Sequence, residues 1–210
     1  MNRHLLFDFD GTLVDSMAIG MKAFNTIGAR LGYPAIQTED LDALMRKPIR
    51  ERFRHYGVPM VKLPVLAVDF YREYKKSLEE LHFFDGIPEM LQQLVDAGVK
   101  LSVMSSNDPE IIDTYMHRHN IHIFHRIVGS SRLFGKDRMI RRYMRSEKIS
   151  PDQLMYVGDE LRDIEACKKV GVPIIWVSYG FDHEELVAPA QPDFQARCPE
   201  EVAAIVLSDR

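Results

Sequence analysis

Asp8 and Asp10 stand two residues apart in Phe7-Asp8-Phe9-Asp10-Gly11-Thr12-Leu13, directly after an apolar run and directly before a turn. Leu5-Leu6-Phe7 continues through Phe9 in the pattern of a strand buried on both faces, and Gly11 offers the backbone freedom that a sharp exit requires. A lone Asp at such a place serves well enough as a turn residue. Two carboxylates flanking a buried Phe repel each other unless a cation or a proton is shared, so the pair asks for a metal. Ligands of open parallel sheets bind at the carboxyl ends of the strands, which makes this pair a candidate reactive centre.

Later apolar runs deliver polar groups in the same way. Leu101-Ser102-Val103-Met104 is followed by Ser105-Ser106-Asn107-Asp108, Ile127-Val128 by Gly129-Ser130-Ser131 and then Lys136, and Met155-Tyr156-Val157 by Gly158-Asp159-Glu160 and Asp163. On one rim of a doubly wound sheet these carboxylates, a hydroxyl and an ammonium converge. That inventory suits phosphoryl transfer, where an anionic group is neutralised while an oxygen nucleophile approaches it. Oxygen-only ligands fit Mg²⁺ better than zinc, which favours His or Cys. His117, His119, His122 and His125 bunch together but straddle a helix end and a loop without carboxylate-assisted spacing, and are expected to be surface or turn residues.

Asp8-x-Asp10-Gly11-Thr12-Leu13, the strand-terminal Ser105, Lys136 after Gly135, and Gly158-Asp159-x-x-x-Asp163 resemble, in order, the four motifs of the haloacid dehalogenase superfamily. The resemblance spans nearly the whole chain, because the block between Asp15 and Phe84 looks like the small helical cap of phosphoglycolate phosphatase-like members. It implies Asp8 as a nucleophile that forms an aspartyl-phosphate, and Asp10 as the acid that protonates the leaving oxygen and then the base that deprotonates water. A general acid needs a raised pKa, and an anionic Asp8 beside Asp10 would supply it. The resemblance further implies Mg²⁺ held by Asp8, the Asp10 carbonyl and Asp159, with Asp163 a direct ligand or one acting through water. Gly11, Thr12, Ser105, Asn107 and Lys136 would surround the phosphoryl group. Strand phase counted from Leu101 favours Ser105 as the inward hydroxyl, while Ser106 beside Asn107 remains the alternative.

These implications give a phosphatase acting on a small phosphorylated metabolite. A phosphomutase of the β-phosphoglucomutase type shares the same core motifs, and a non-catalytic phosphometabolite-binding protein would keep the rim but has no need of Asp10. Members resembling dehalogenases or phosphonate hydrolases lack an Asp at that second position.

The elements that must position these residues alternate regularly. Residues 15–84 read as helices only: Asp15-Ser16 caps a helix through Met17, Met21, Phe24, Ile27 and Leu31 that ends at Gly32, and three more run over Glu39–Arg46, Ile49–His55 and Pro64–Leu81. From Asp85 onward helices over Glu89–Ala97, Pro109–His119, Lys136–Ser146, Leu161–Val170 and Pro199–Leu207 alternate with strands over Lys100–Met104, Arg126–Val128, Leu154–Val157 and Ile174–Val177. This predicts an α/β fold with a doubly wound, Rossmann-like parallel sheet, its core formed by 1–14 and 85–210, and an all-helical cap over 15–84 hinged near Val14–Ser16 and Phe84–Pro88. In related caps the element matching Met45–Phe53 reaches over the active site, so Lys47 and Arg50 are candidate substrate contacts; a solvated helix face accounts equally for Arg50, Arg52 and Arg54. Phe70, Tyr71 and Tyr74 are expected in the cap's own core.

At 210 residues the chain can bury one full core with an insertion. A formal charge of −4 argues against broad electrostatic binding to nucleic acid or an anionic membrane. The first apolar run is broken by Asp8 and Asp10, too early for a signal sequence, and no run approaches a bilayer's thickness, so a cytoplasmic protein is expected. Cys167 and Cys198 are expected as reduced thiols.

Overall fold

A computed structural model describes residues 4–130 and 134–208. In chain order it comprises β1 (His4–Phe7), β2 (Val14–Asp15), α1 (Met17–Leu31), α2 (Leu41–Met45), α3 (Ile49–His55), α4 (Leu63–Lys76), β3 (His82–Phe83), α5 (Ile87–Asp96), β4 (Lys100–Ser105), α6 (Pro109–Arg118), β5 (Arg126–Gly129), α7 (Lys136–Glu147), β6 (Leu154–Gly158), α8 (Leu161–Val170), β7 (Ile174–Val177), α9 (Glu184–Val187), β8 (Phe194–Ala196) and α10 (Pro199–Ser208).

Six strands form one parallel sheet in the order β5-β4-β1-β6-β7-β8, the doubly wound α/β architecture predicted from the alternation. Residue alternation along each strand divides the core in two. Leu5, Phe7, Leu101, Val103, Met155 and Val157 face α5, α6 and α10, whereas Leu6, Met104, Leu154, Tyr156 and Trp176 face α7 and α8. The chain builds outward from β1 to β4 and β5, then returns to β6 on the other side of β1. That reversal opens a crevice at the carboxyl end of β1, where Asp8 follows.

All of α1–α4 lie between β1 and β4, with a small apolar cluster of their own around Leu44, Tyr56 and Val58. The expectation of a purely helical block needs correction at its two ends. Val14–Asp15 and His82–Phe83 pair antiparallel, so entry to and exit from the helices run side by side. Two-residue strands are too short to show alternation. The helix expected to reach Leu81 stops at Lys76, and a single 3₁₀ turn over Leu78–Glu80 leads into β3. Ser16 occupies the N-cap position of α1 without a side-chain cap; Asp15 accepts from the Met17 N–H at 3.3 Å instead. α1 ends as expected at Gly32, whose φ of 75° is left-handed. The short α9 and β8 were not expected from the sequence.

No helix among the described residues is long and apolar enough to cross a membrane. Cys167 and Cys198 are free thiols.

Candidate active site

Asp8 emerges from β1 with its N–H bonded to the Val157 carbonyl of β6 at 2.8 Å, which fixes its backbone at the crevice. Its carboxylate, 2% exposed, accepts from the Phe9 N–H at 2.7 Å and from the Lys136 ammonium. Lys136 is the first residue of α7, projected inward by Gly135 at φ 106°, and is bound equally to Asp163 at the start of α8. A solvated helix-end lysine, the ordinary fate of such a residue, is therefore not what is seen. Burial alone would lower its pKa, but Asp163 and Asp8 outweigh burial and hold the ammonium charged. Burial pushes the Asp163 carboxyl upward, with Lys136 pulling the other way.

Asp10 lies two residues on, after which the chain winds tightly, with the Leu13 and Val14 N–H groups both directed at the Phe9 carbonyl. The Asp10 carboxylate accepts from the Tyr74 hydroxyl at 2.6 Å and from Asn107 Nδ2 at 2.9 Å. Burial raises its pKa; bonds from Tyr74, Ser16 and Asn107 offset part of the rise and the charge of Asp8 adds to it. Ser105 ends β4 and accepts from the Asn107 N–H at 3.0 Å. Ser106 faces the same space, its hydroxyl accepting from Arg162 at 2.8 Å and its carbonyl from the Tyr71 hydroxyl. Both serines line the cavity. Ser131 lies outside the described residues.

The acids divide into two sets. Carboxylate oxygens of Asp8, Glu160 and Asp163 lie within 4.8 Å of one another. Asp159, a predicted metal ligand, has both oxygens engaged elsewhere, by the Thr12 hydroxyl at 2.8 Å and the Phe181 N–H at 2.9 Å. A Cβ at Gly11 would collide with that same carboxylate, so Gly11 and Thr12 build the bed of Asp159. Burial drives the Asp159 carboxyl well above its usual range, and Glu160, Asp8 and Asp163 drive it further. Burial also opposes ionisation of Glu160, but Arg162 and Lys136 prevail and hold it low.

Several groups here carried no signal at the sequence level. Arg162 is enclosed between Asp159 and Asp163 in the chain and pairs with Glu160 as well as Ser106. Tyr71 and Tyr74, expected in the cap core, reach across to the sheet's rim. Arg52, offered as part of a solvated face, is buried in an ion pair with Asp182 of the loop after β7. Arg50 does line the cavity, its guanidinium 4.3 Å from the centre of the Phe134 ring. Lys47 is not among the residues lining that cavity; its carbonyl accepts from Arg52 Nε at 2.8 Å. His117 is exposed and His125 joins an ion cluster around Glu147 on the opposite rim.

A sequence profile of the haloacid dehalogenase-like hydrolases matches residues 5–177. The chain belongs to this family. A phosphoglycolate phosphatase of Synechococcus elongatus is 29% identical to this haloacid dehalogenase-like hydrolase over 203 residues, 96% of each chain. A 5'-nucleotidase of Pseudomonas aeruginosa is 32% identical over 197 residues, covering 90% of this chain and 88% of its own. Among solved structures, a predicted phosphatase from Clostridium acetobutylicum superposes with a TM-score of 0.84 over 99% of both chains at 29% identity.

Proposed function

We propose that this hydrolase is a Mg²⁺-dependent phosphatase that cleaves a phosphomonoester through an aspartyl-phosphate on Asp8. The observation that carries this reading is the Lys136 ammonium buried between Asp8 and Asp163, with Asp10, two residues after Asp8, held by Tyr74 and Asn107 in a buried place that raises its pKa. The buried cation beside Asp8 presents positive charge to an arriving phosphoryl group. Asp8 attacks phosphorus as the ester P–O bond breaks, and Asp10 gives its proton to the departing alcohol oxygen. Asp10, now ionised, takes a proton from water that attacks the phosphoryl group, and inorganic phosphate leaves as Asp8 is restored. Ser105 or Ser106, both of which line the cavity at the end of β4, would donate to the phosphoryl oxygens, and Asn107 beside them holds Asp10. The helical block serves as a cap that excludes water during both steps.

Mg²⁺ fits the donor set, which is oxygen only, and Asp159, pushed upward first by burial and then by Glu160, Asp8 and Asp163, stands among acids whose charge a dication would offset. Asp8, Glu160 and Asp163 gather the nearest oxygens; the family resemblance adds the Asp10 carbonyl and Asp159. Bound there, the ion supplies charge neutralisation for Asp8 and the phosphoryl group. The activities named for the two relatives are both phosphomonoester hydrolyses, which supports this class of substrate.

The test is hydrolysis of p-nitrophenyl phosphate with Mg²⁺. Wild type is expected to turn over and Asp8→Asn to be inactive, and a crystal grown with beryllium fluoride should carry the trifluoroberyllate on Asp8. An Asp8→Asn variant with near wild-type turnover contradicts the reading.

A further inference from the structure

The cavity that begins at Asp8, Asp10, Ser105 and Ser106 does not end at the rim. It continues into the helical block between α1, α2, α3 and α4, and the whole space, rim included, measures about 630 Å³. Its walls there include Met17, Phe24, Ile27, Leu44, Phe53 and Phe70. Such a volume is that of a site for a drug-sized ligand. A two-carbon glycolate group would fill only a small part of it.

The buried cations around this space are engaged: Arg52 is bound to Asp182, and Arg162 to Glu160 and Ser106. Arg50 is exposed, its guanidinium over the Phe134 ring, and the deep walls carry no charge of their own. A carboxylate or second phosphate pushed inward would lose its water among Met and Phe side chains, a costly transfer for a charge without a dedicated partner. An apolar group would release water from the same walls and gain by it.

We propose that this chamber receives the alcohol part of the substrate, and that the substrate is a phosphomonoester of a bulky apolar alcohol. This rests on the phosphatase reading above, because the phosphoryl end of the chamber is the Asp8–Lys136 site. The ester oxygen sits between Asp10 and the chamber mouth, and the apolar body lies along α1. Gly20 of α1 marks the open side: a Cβ built there meets only Phe70, at 3.9 Å.

The experiment compares n-alkyl phosphates from ethyl to hexyl, whose leaving alcohols have nearly the same basicity, with 2-phosphoglycolate and p-nitrophenyl phosphate. Chain length then reports burial and not leaving-group chemistry. kcat/KM is expected to rise along the series by up to about fourfold per methylene, and inhibition by the matching alkylphosphonates should tighten in parallel. 2-Phosphoglycolate should fall below hexyl phosphate. Gly20→Leu should lower the hexyl-to-ethyl ratio of kcat/KM at least tenfold while its Tm stays at or above the wild-type value, since a glycine inside a helix is itself destabilising. A flat alkyl series, a preference for 2-phosphoglycolate, or an unchanged ratio in a folded Gly20→Leu variant overturns the inference while p-nitrophenyl phosphate hydrolysis leaves the phosphatase reading standing. Absence of hydrolysis of every ester overturns both.

Discussion

Tyr74, in the last full turn of α4, donates its hydroxyl to Asp10 at 2.6 Å, so the residue proposed as acid and base is held by the helical block that covers it. On the proposed reading, that bond and the one from Asn107 Nδ2 at 2.9 Å together orient the acid, so the seating of α4 bears on Asp10. Tyr74→Phe keeps the ring's packing and removes the donor. A bond to a charged group contributes on the order of 1.5–3 kcal/mol, so Tm should fall by roughly 3–10 °C and kcat for p-nitrophenyl phosphate, measured well below that Tm, by about tenfold or more. Steady-state kinetics with a thermal melt check this; an unaltered kcat would mean that Asn107 alone orients Asp10.

Arg52 and Asp182 join the helical block to the sheet by a second, fully protein-bound contact. Arg52 also donates to the Lys47 carbonyl at 2.8 Å, and Asp182 accepts from the Leu161 N–H at the start of α8 at 2.7 Å. Removing one partner of a buried pair typically costs about 3–5 kcal/mol because the other charge is stranded. Arg52→Met should therefore lower Tm by roughly 10 °C, and Arg52→Met combined with Asp182→Leu should recover much of the loss. A double-mutant cycle on thermal unfolding measures the coupling; additive losses would show the two side chains acting separately.

The strands and the gathering of polar side chains at their carboxyl ends were legible because the signals are local. Asp8 and Asp10 are two residues apart, and Asp159 and Asp163 four, so one strand end or one helix start places each pair. The apolar runs of β1, β4, β6 and β7 are buried on both faces and stand out without alternation. What was not legible joins distant parts of the chain. Tyr74 meets Asp10 across 64 residues and Arg52 meets Asp182 across 130. Neither contact leaves a period or a spacing in the sequence, and Tyr74 sits within an amphipathic stripe that reads as ordinary core. The place of Glu160 beside Asp8 was equally hidden, because it depends on the turn that directs Asp159 toward Thr12 and Phe181.

That turn makes the acids separable by experiment. EDTA should abolish turnover and Mg²⁺ should restore it. Glu160→Gln should raise the Mg²⁺ concentration for half-maximal activity about tenfold or more, as loss of a ligand or of its supporting carboxylate does. Asp159→Asn should lower Tm as well, because its oxygens hold Thr12 and the Phe181 N–H. Activity titrations against Mg²⁺ for the two variants distinguish them; a Glu160→Gln half-saturation equal to wild type would remove Glu160 from the metal's surroundings.

Glu147 provides a pH prediction far from the chemistry. At the end of α7 it accepts from Lys100 at 2.8 Å and from His125 and Arg126 at 3.0 Å, so it fastens the amino-terminal ends of β4 and β5, the rim opposite Asp8. Its bond to Lys100 leads the effects that hold its carboxyl down at about 2, against partial burial. The folded pKa lies below the unfolded value of about 4.3, so the unfolded chain binds the extra proton and stability from this group rises with pH between the two. Its contribution is complete above roughly pH 4.3 and lost as pH falls toward 2. Lys100 and Arg126 are partly exposed, which limits the gain to that of a screened network. Glu147→Gln should lower Tm by roughly 2–4 °C at pH 7, and the gap from wild type should close progressively below pH 4. Melts at pH 7, 5, 4 and 3 follow the gap, while kcat at 25 °C should not change. A gap that stays constant down to pH 3 would show that Glu147 acts by packing and not by its charge.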